Sequence, residues 1–128
     1  MKVELPLGDV VDKVSILLLK AKHITDPAKA VNVQRELEVL RQTWKETGHP
    51  PMEELDSWQG LCEVNGQLWD VEDELRDLER RQDFSDVFVQ AARSVYFLND
   101  RRAGYKRTIN LSLGSELIEE KSYADYSL

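Results

Sequence analysis

Four stretches of this sequence set apolar residues three and four apart, and only short breaks separate one stretch from the next. Side chains on an α-helix advance by about 100° per residue, so that spacing gathers the apolar groups on one face. Short connections between successive helices favour antiparallel neighbours. The pattern therefore predicts an all-α chain, an antiparallel up-down bundle of about four helices with a short extended N-terminal arm and an irregular C-terminal tail. At 128 residues, the expectation is one domain spanning residues 1–128.

Val3 to Leu7 alternates apolar and polar residues before Gly8 and reads as the arm, a β-edge or a strap. The first helix is expected from about Asp9 to His23, with Asp9 as N-cap and Asp12 completing a capping box. Val10, Val11, Val14, Leu17, Leu18 and Ala21 share one face, while Ile16 and Leu19 fall on the opposite one. A helix apolar on two sides is either central in the bundle or packed on a second subunit. Thr25-Asp26-Pro27 restarts the chain as a second helix running to about Thr47, with Ala30, Val33, Leu37, Leu40 and Trp44 as its stripe. Gly48-His49-Pro50-Pro51 ends it. Glu53 to about Arg81 reads as the third helix and Phe84 to Leu111 or Leu113 as the fourth, closed by Gly114. One more helical turn before Tyr123 and Tyr126 is compatible with the tail.

Charged residues sit where this scheme calls for apolar ones. On the third helix Asn65, Glu72 and Glu79 fall inside the arc of Trp58, Leu61, Cys62, Leu68, Trp69 and Leu75, and Arg76 lines up with Trp58. On the fourth, Phe84, Phe88, Ala91, Ala92 and Val95 read as plain core, and the same stripe continues as Asn99, Arg102 and Lys106. Lys13 and Lys20 flank the apolar face of the first helix. An antiparallel third and fourth helix brings Asn65 level with Asn99 to Arg102. Burying a charge costs several kcal/mol unless it is paired and hydrogen-bonded. One polar centre is thus expected, either a closed ion-pair network or a pocket for a small anionic ligand such as a carboxylate or phosphate. In the pocket reading Lys13, Lys20, Asn65, Glu72, Asn99, Arg102 and Lys106 form the ligand site, and Glu72 is the candidate general acid or base.

Composition narrows the remaining classes. A net charge of −7 argues against a nucleic-acid partner, whose protein surface is basic. No apolar stretch approaches the roughly 20 residues of a membrane span, and the N-terminus has no signal-peptide pattern. Cys62 has no partner for an internal disulfide, which points to a reducing, cytoplasmic setting. No cofactor motif occurs. His23 and His49 are isolated and make no zinc site. Asp70, Glu72, Asp73 and Glu74 form an acidic run with no matching carboxylate pair on the fourth helix, so it reads as a solvated face without metal. Arg76 can pair there with Asp73. The three tryptophans read as core anchors.

Three segments carry a resemblance: Gly8 to Leu17 (GDVVDKVSIL), Leu68 to Arg76 (LWDVEDELR), and Leu98-Asn99-Asp100-Arg101-Arg102 through Lys106 to Ile109-Asn110. With Glu119 to Tyr123, they are similar to an uncharacterised family of small all-helical bacterial proteins. Some members of that family stand beside glycosyltransferase or tetratricopeptide regions, which implies a supporting role in surface-polysaccharide systems. Asp12 to Leu17 also resembles the first helix of helical chorismate mutases, which implies basic residues along an apolar face that serve an anionic substrate. The function expected is a binding or accessory module, a homodimer through Ile16 and Leu19, with a protein partner or a small anion as its ligand. The alternative is an enzyme or sensor with a pocket in the chorismate-mutase style.

Overall fold

The computed structural model describes residues 1–122. They form α1 (Leu7–His23), α2 (Pro27–Glu46), a single 3-10 turn (Met52–Glu54), α3 (Trp58–Arg80) and α4 (Asp86–Leu113), with no strand among the described residues. The chain is an all-α bundle whose first five residues are exposed and irregular and whose tail after Leu113 has no regular structure through residue 122. The further helical turn expected in the tail before Tyr123 does not form over residues 115–122, and Tyr123 and Tyr126 themselves lie outside the described residues.

Helix α1 starts two residues before the position its capping pattern predicts, behind Pro6. Its first free amides are satisfied from the far end of the chain. The Leu7 N–H donates to Ser115 Oγ at 3.2 Å and the Gly8 N–H to Asn110 Oδ1 at 2.6 Å. Asp9 therefore lies in the first turn rather than at the cap, and Asp12 is released to face inward. α2 starts as its sequence predicts: Pro27 is the first helical residue and Asp26 Oδ1 accepts from the Ala28 N–H at 3.0 Å. It ends at Glu46, where Gly48 takes the left-handed conformation and Trp44 Nε1 donates to the Pro50 carbonyl at 2.8 Å.

The third helix begins at Trp58, not Glu53. Met52 is drawn fully into the core and Leu55 is extended, so the 3-10 turn ends before a helix can propagate. Arg41 on α2 reaches that turn through Glu53 at 2.5 Å. The α3–α4 turn carries Gln82 at a φ of 55°, and the Asp83 carboxylate accepts from the Ser85 N–H at 3.0 Å. α4 accordingly begins at Asp86, two residues later than expected, and ends at Gly114 with a φ of 67°.

Of the two places its apolar faces allowed, α1 takes the central one: it packs on α2, α3 and α4, while α3 and α4 form an antiparallel hairpin. Val10, Val11, Val14 and Leu17 of α1 meet Val33, Leu37 and Trp44 of α2, Leu61 and Val64 of α3, and Ile109 of α4. Two glycines set the helix separations. A Cβ on Gly8 would overlap the Lys106 carbonyl oxygen, and one on Gly60 would overlap the Tyr105 ring.

Length then decides what stays uncovered. The 17 residues of α1 span about 25 Å and the 28 of α4 about 42 Å. α1 is anchored at Asn110 and Arg102, so the hairpin end of α4 runs past it. Phe84, expected in the core, is 52% exposed for that reason, and Val87 is 55% exposed. Phe88, Ala92 and Val95 are half-buried, and only Ala91 of the expected stripe is buried.

Candidate functional site

The polar centre is built on a residue the capping pattern disguised. Asp12 of α1 is 3% exposed. Arg102 of α4 grips it with both arms of its guanidinium, Nε to Oδ1 at 3.0 Å and the second nitrogen to Oδ2 at 2.5 Å. From α3, Asn65 Nδ2 donates to Asp12 Oδ1 at 2.9 Å and to Ser15 Oγ at 2.7 Å. Ser15 Oγ donates to the Asp12 carbonyl at 2.7 Å. Three helices thus meet on one carboxylate, and a two-pronged charged pair fixes both distance and orientation. The hydrogen bonds that Arg102 donates to Asp12 raise the Arg102 pKa above the usual arginine value against the opposing effect of burial.

One turn along α4, Lys106 Nζ lies between Asp9 Oδ1 at 2.9 Å and Glu119 Oε2 at 2.7 Å. Burial alone would pull its pKa down, but the two carboxylates outweigh burial and hold it above the usual lysine value. Lys106 is therefore a charged link joining α1, α4 and the tail.

A cleft of about 340 Å³ opens between the second half of α1 and the α3–α4 pair. Ile16 and Leu19 of α1, Asn65, Leu68, Trp69 and Glu72 of α3, and Asn99 and Arg102 of α4 line it, with Asp73 and Arg76 at its edge. The cleft gathers Asn65, Glu72, Asn99 and Arg102 from the expected site. Lys106 stands outside it with Asp9 and Glu119, and Lys13 and Lys20 are exposed and do not line it. The basic set implied by the chorismate-mutase resemblance is thus not assembled there. Glu72 is exposed too and pairs with Arg76 at 3.4 Å, one turn on; Arg76 takes this partner in place of Asp73. Asp12, Ser15, Asp9 and Glu119 are the residues the sequence reading missed. Asp12 carried a usable signal: it stands between Val11 and Ser15, inside the arc that α1 buries.

The other singled-out side chains have structural partners. The His23 ring stacks on Trp69 with centroids 4.8 Å apart. Burial, then Glu53 and Glu63, push the Cys62 thiol above its ordinary pKa, so it is a poor thiolate at neutral pH. Among the described residues no group of three or more His, Cys, Asp or Glu side chains is placed to hold a metal ion. Nor is any helix among them long and apolar enough to cross a membrane.

A carboxylate clamped by three helices inside an otherwise apolar bundle defines a small all-α protein with a charged core. The chain belongs to a family of unknown function, DUF6165, whose family model matches residues 1–127. No curated protein and no solved structure matches it.

Proposed function

We propose that the chain is a binding or accessory module that works as a homodimer, with the Asp12–Arg102 network as a register lock between its helices. The observation that carries this reading is the overhanging hairpin. Phe84, in the turn before α4, and Val87 and Val89, in its first turn, are large apolar side chains left exposed at the hairpin end that α1 does not reach, and exposed apolar surface of that kind marks an interaction surface. Its surroundings carry both signs of charge, with Asp83 and Asp86 near Arg80, Arg81 and Arg93. That mixture is self-complementary across a two-fold axis, so a second copy suits it. Ile16 and Leu19, at the mouth of the neighbouring cleft, extend the same face.

The lock assignment rests on charge. The guanidinium fork of Arg102 is filled by Asp12, and Lys106 already holds two carboxylates. Little positive charge remains over for an anion at the centre. The lone cysteine suits a cytoplasmic setting, and the resemblance to modules of bacterial surface-polysaccharide systems suits an accessory role beside a protein partner. Light scattering at micromolar concentration tests the assembly: the parent is a dimer, and Phe84→Lys with Val87→Glu gives a folded monomer. A monomeric parent overturns the proposal.

The cleft favours a second reading, a small carboxylate or phosphate held by Asn65, Asn99 and Arg102 with Glu72 as acid or base. Thermal-shift measurements with anionic metabolites on the parent and on Arg102→Ala decide it. If no anion raises the melting temperature of the parent, that reading ends.

A further inference from the structure

Glu119, Glu120 and Lys121 are consecutive, have no regular secondary structure, and each pair with a different residue of α4. Glu119 reaches Lys106 at 2.7 Å, Glu120 reaches Arg107 at 3.2 Å, and Lys121 pairs with Asp100. Ser115 fixes the root of this strap: its N–H donates to the Asn110 carbonyl at 2.8 Å and its hydroxyl to the Leu117 carbonyl at 2.6 Å. Between strap and helix lies a cavity of about 260 Å³, lined on the α4 side by Lys106, Arg107, Asn110, the small residues Ala103 and Gly104, and Asp100, whose carboxylate is paired with Lys121.

Asn110 gives that cavity its chemistry. The side chain is 1% exposed, and its Oδ1 is committed to the Gly8 N–H, which fixes the orientation of the amide. The Nδ2 is left buried with no acceptor among the described residues. Buried amide donors are nearly always paired, so an unpaired one calls for an explanation. Here it stands beside an ammonium, a guanidinium and the N-terminal turn of α1, whose partial charge is positive. These groups ask for an anion, and the strap already answers with the carboxylates of Glu119 and Glu120.

We propose that Lys106, Arg107 and Asn110 form a binding site for a small carboxylate or phosphate, and that the strap carboxylates Glu119 and Glu120 occupy it as an internal stand-in. The Arg107–Glu120 pair is exposed on both sides and holds weakly, and Glu119 is half exposed over the more buried Lys106, so an incoming anion can displace the strap from its exposed side. Asp9 stays on Lys106 throughout and leaves the incoming group the positions the strap vacates. The site lies apart from the cleft: the two share no lining residue.

The test uses the full chain with Glu119→Gln and Glu120→Gln together, titrated calorimetrically with inorganic phosphate and, separately, with succinate. The double variant binds one of the two at least about tenfold more tightly than the parent, a difference well within calorimetric reach. Preference for phosphate or for succinate names the chemistry of the site. Adding Lys106→Met abolishes binding, whereas Arg101→Ala, which removes an exposed cation of α4 that lines neither cavity, leaves it in place. Binding that survives Lys106→Met, or that Arg101→Ala removes, overturns the proposal, as does failure of the double variant to bind either probe. Should Lys106→Met not fold, the Asn110 side-chain amide resonances of the double variant decide instead: they shift on titration, and a static signal overturns the assignment.

Discussion

Replacing Arg102 by Met removes the fork from Asp12 while keeping most of the aliphatic stem that packs between the helices. The carboxylate it strands is 3% exposed and keeps only the Asn65 donor at 2.9 Å. Removing one partner of a buried ion pair costs about 3–5 kcal/mol, because the other charge stays behind uncompensated. The Arg102 side chain is 31% exposed, so water reaches the vacated side and the lower end applies, about 3 kcal/mol. With a urea m-value near 2 kcal/mol/M, the midpoint falls by about 1.5 M. The melting temperature falls by about 10 °C. Combining Arg102→Met with Asp12→Leu removes both charges and returns stability to within about 1 kcal/mol of the parent, since apolar groups of similar size can replace a buried pair. The double-mutant cycle then gives a coupling of at least about 2 kcal/mol. If each single change costs under about 1 kcal/mol and the coupling is near zero, the three-helix lock is refuted.

Glycine replacements separate close approach from helix propensity. Gly60→Ala costs about 1–3 kcal/mol in chemical denaturation because its Cβ overlaps the Tyr105 ring. Gly66→Ala, which meets nothing, stabilises by up to about 1 kcal/mol. Lys106 has its pKa raised in the fold, so its contribution to stability is complete below its unfolded value of 10.5 and is lost as pH rises through the higher folded value. Melting temperatures of the parent therefore drop more steeply above that pH than those of Lys106→Met. At pH 7 the Cys62 thiol alkylates with iodoacetamide more slowly than free cysteine, and its rate is still rising at pH 9, as the raised pKa requires.

The helices were legible because each announces its limits in local chemistry. Asp26-Pro27, Gly48 with its prolines, and Gly114 act within one turn of themselves, and the chain obeys them. The starts of α1, α3 and α4 were less legible because tertiary contacts set them. Ser115 and Asn110 cap α1 from the other end of the chain, and burial of Met52 stops a helix that Glu53 and Glu54 would otherwise have joined. For the polar centre, periodicity and level brought Asn65 and Arg102 together but not the residue on which they meet. A carboxylate three positions after a plausible cap looks local, although its place between Val11 and Ser15 already puts Asp12 on the buried arc. Glu72 shows the reverse case. Its position in the arc was right, but it lies on an open cleft and stays exposed beside Arg76, and no periodicity within α3 reports where its packing against α1 opens.

The pairing of Leu7 and Gly8 with Ser115 and Asn110 has a consequence for synthesis. These bonds join residues 108 and 102 positions apart. Helix α1 is the central strut of the bundle and is made before α4, yet its opening turn lacks its amide partners until the end of α4 has been made. Asp12 waits for Arg102 in the same way, as an unpartnered carboxylate on a nascent apolar surface. Folding of the bundle is therefore gated by the last turns of α4, and a chain cut short of residue 110 would expose the α1 face it was built to bury.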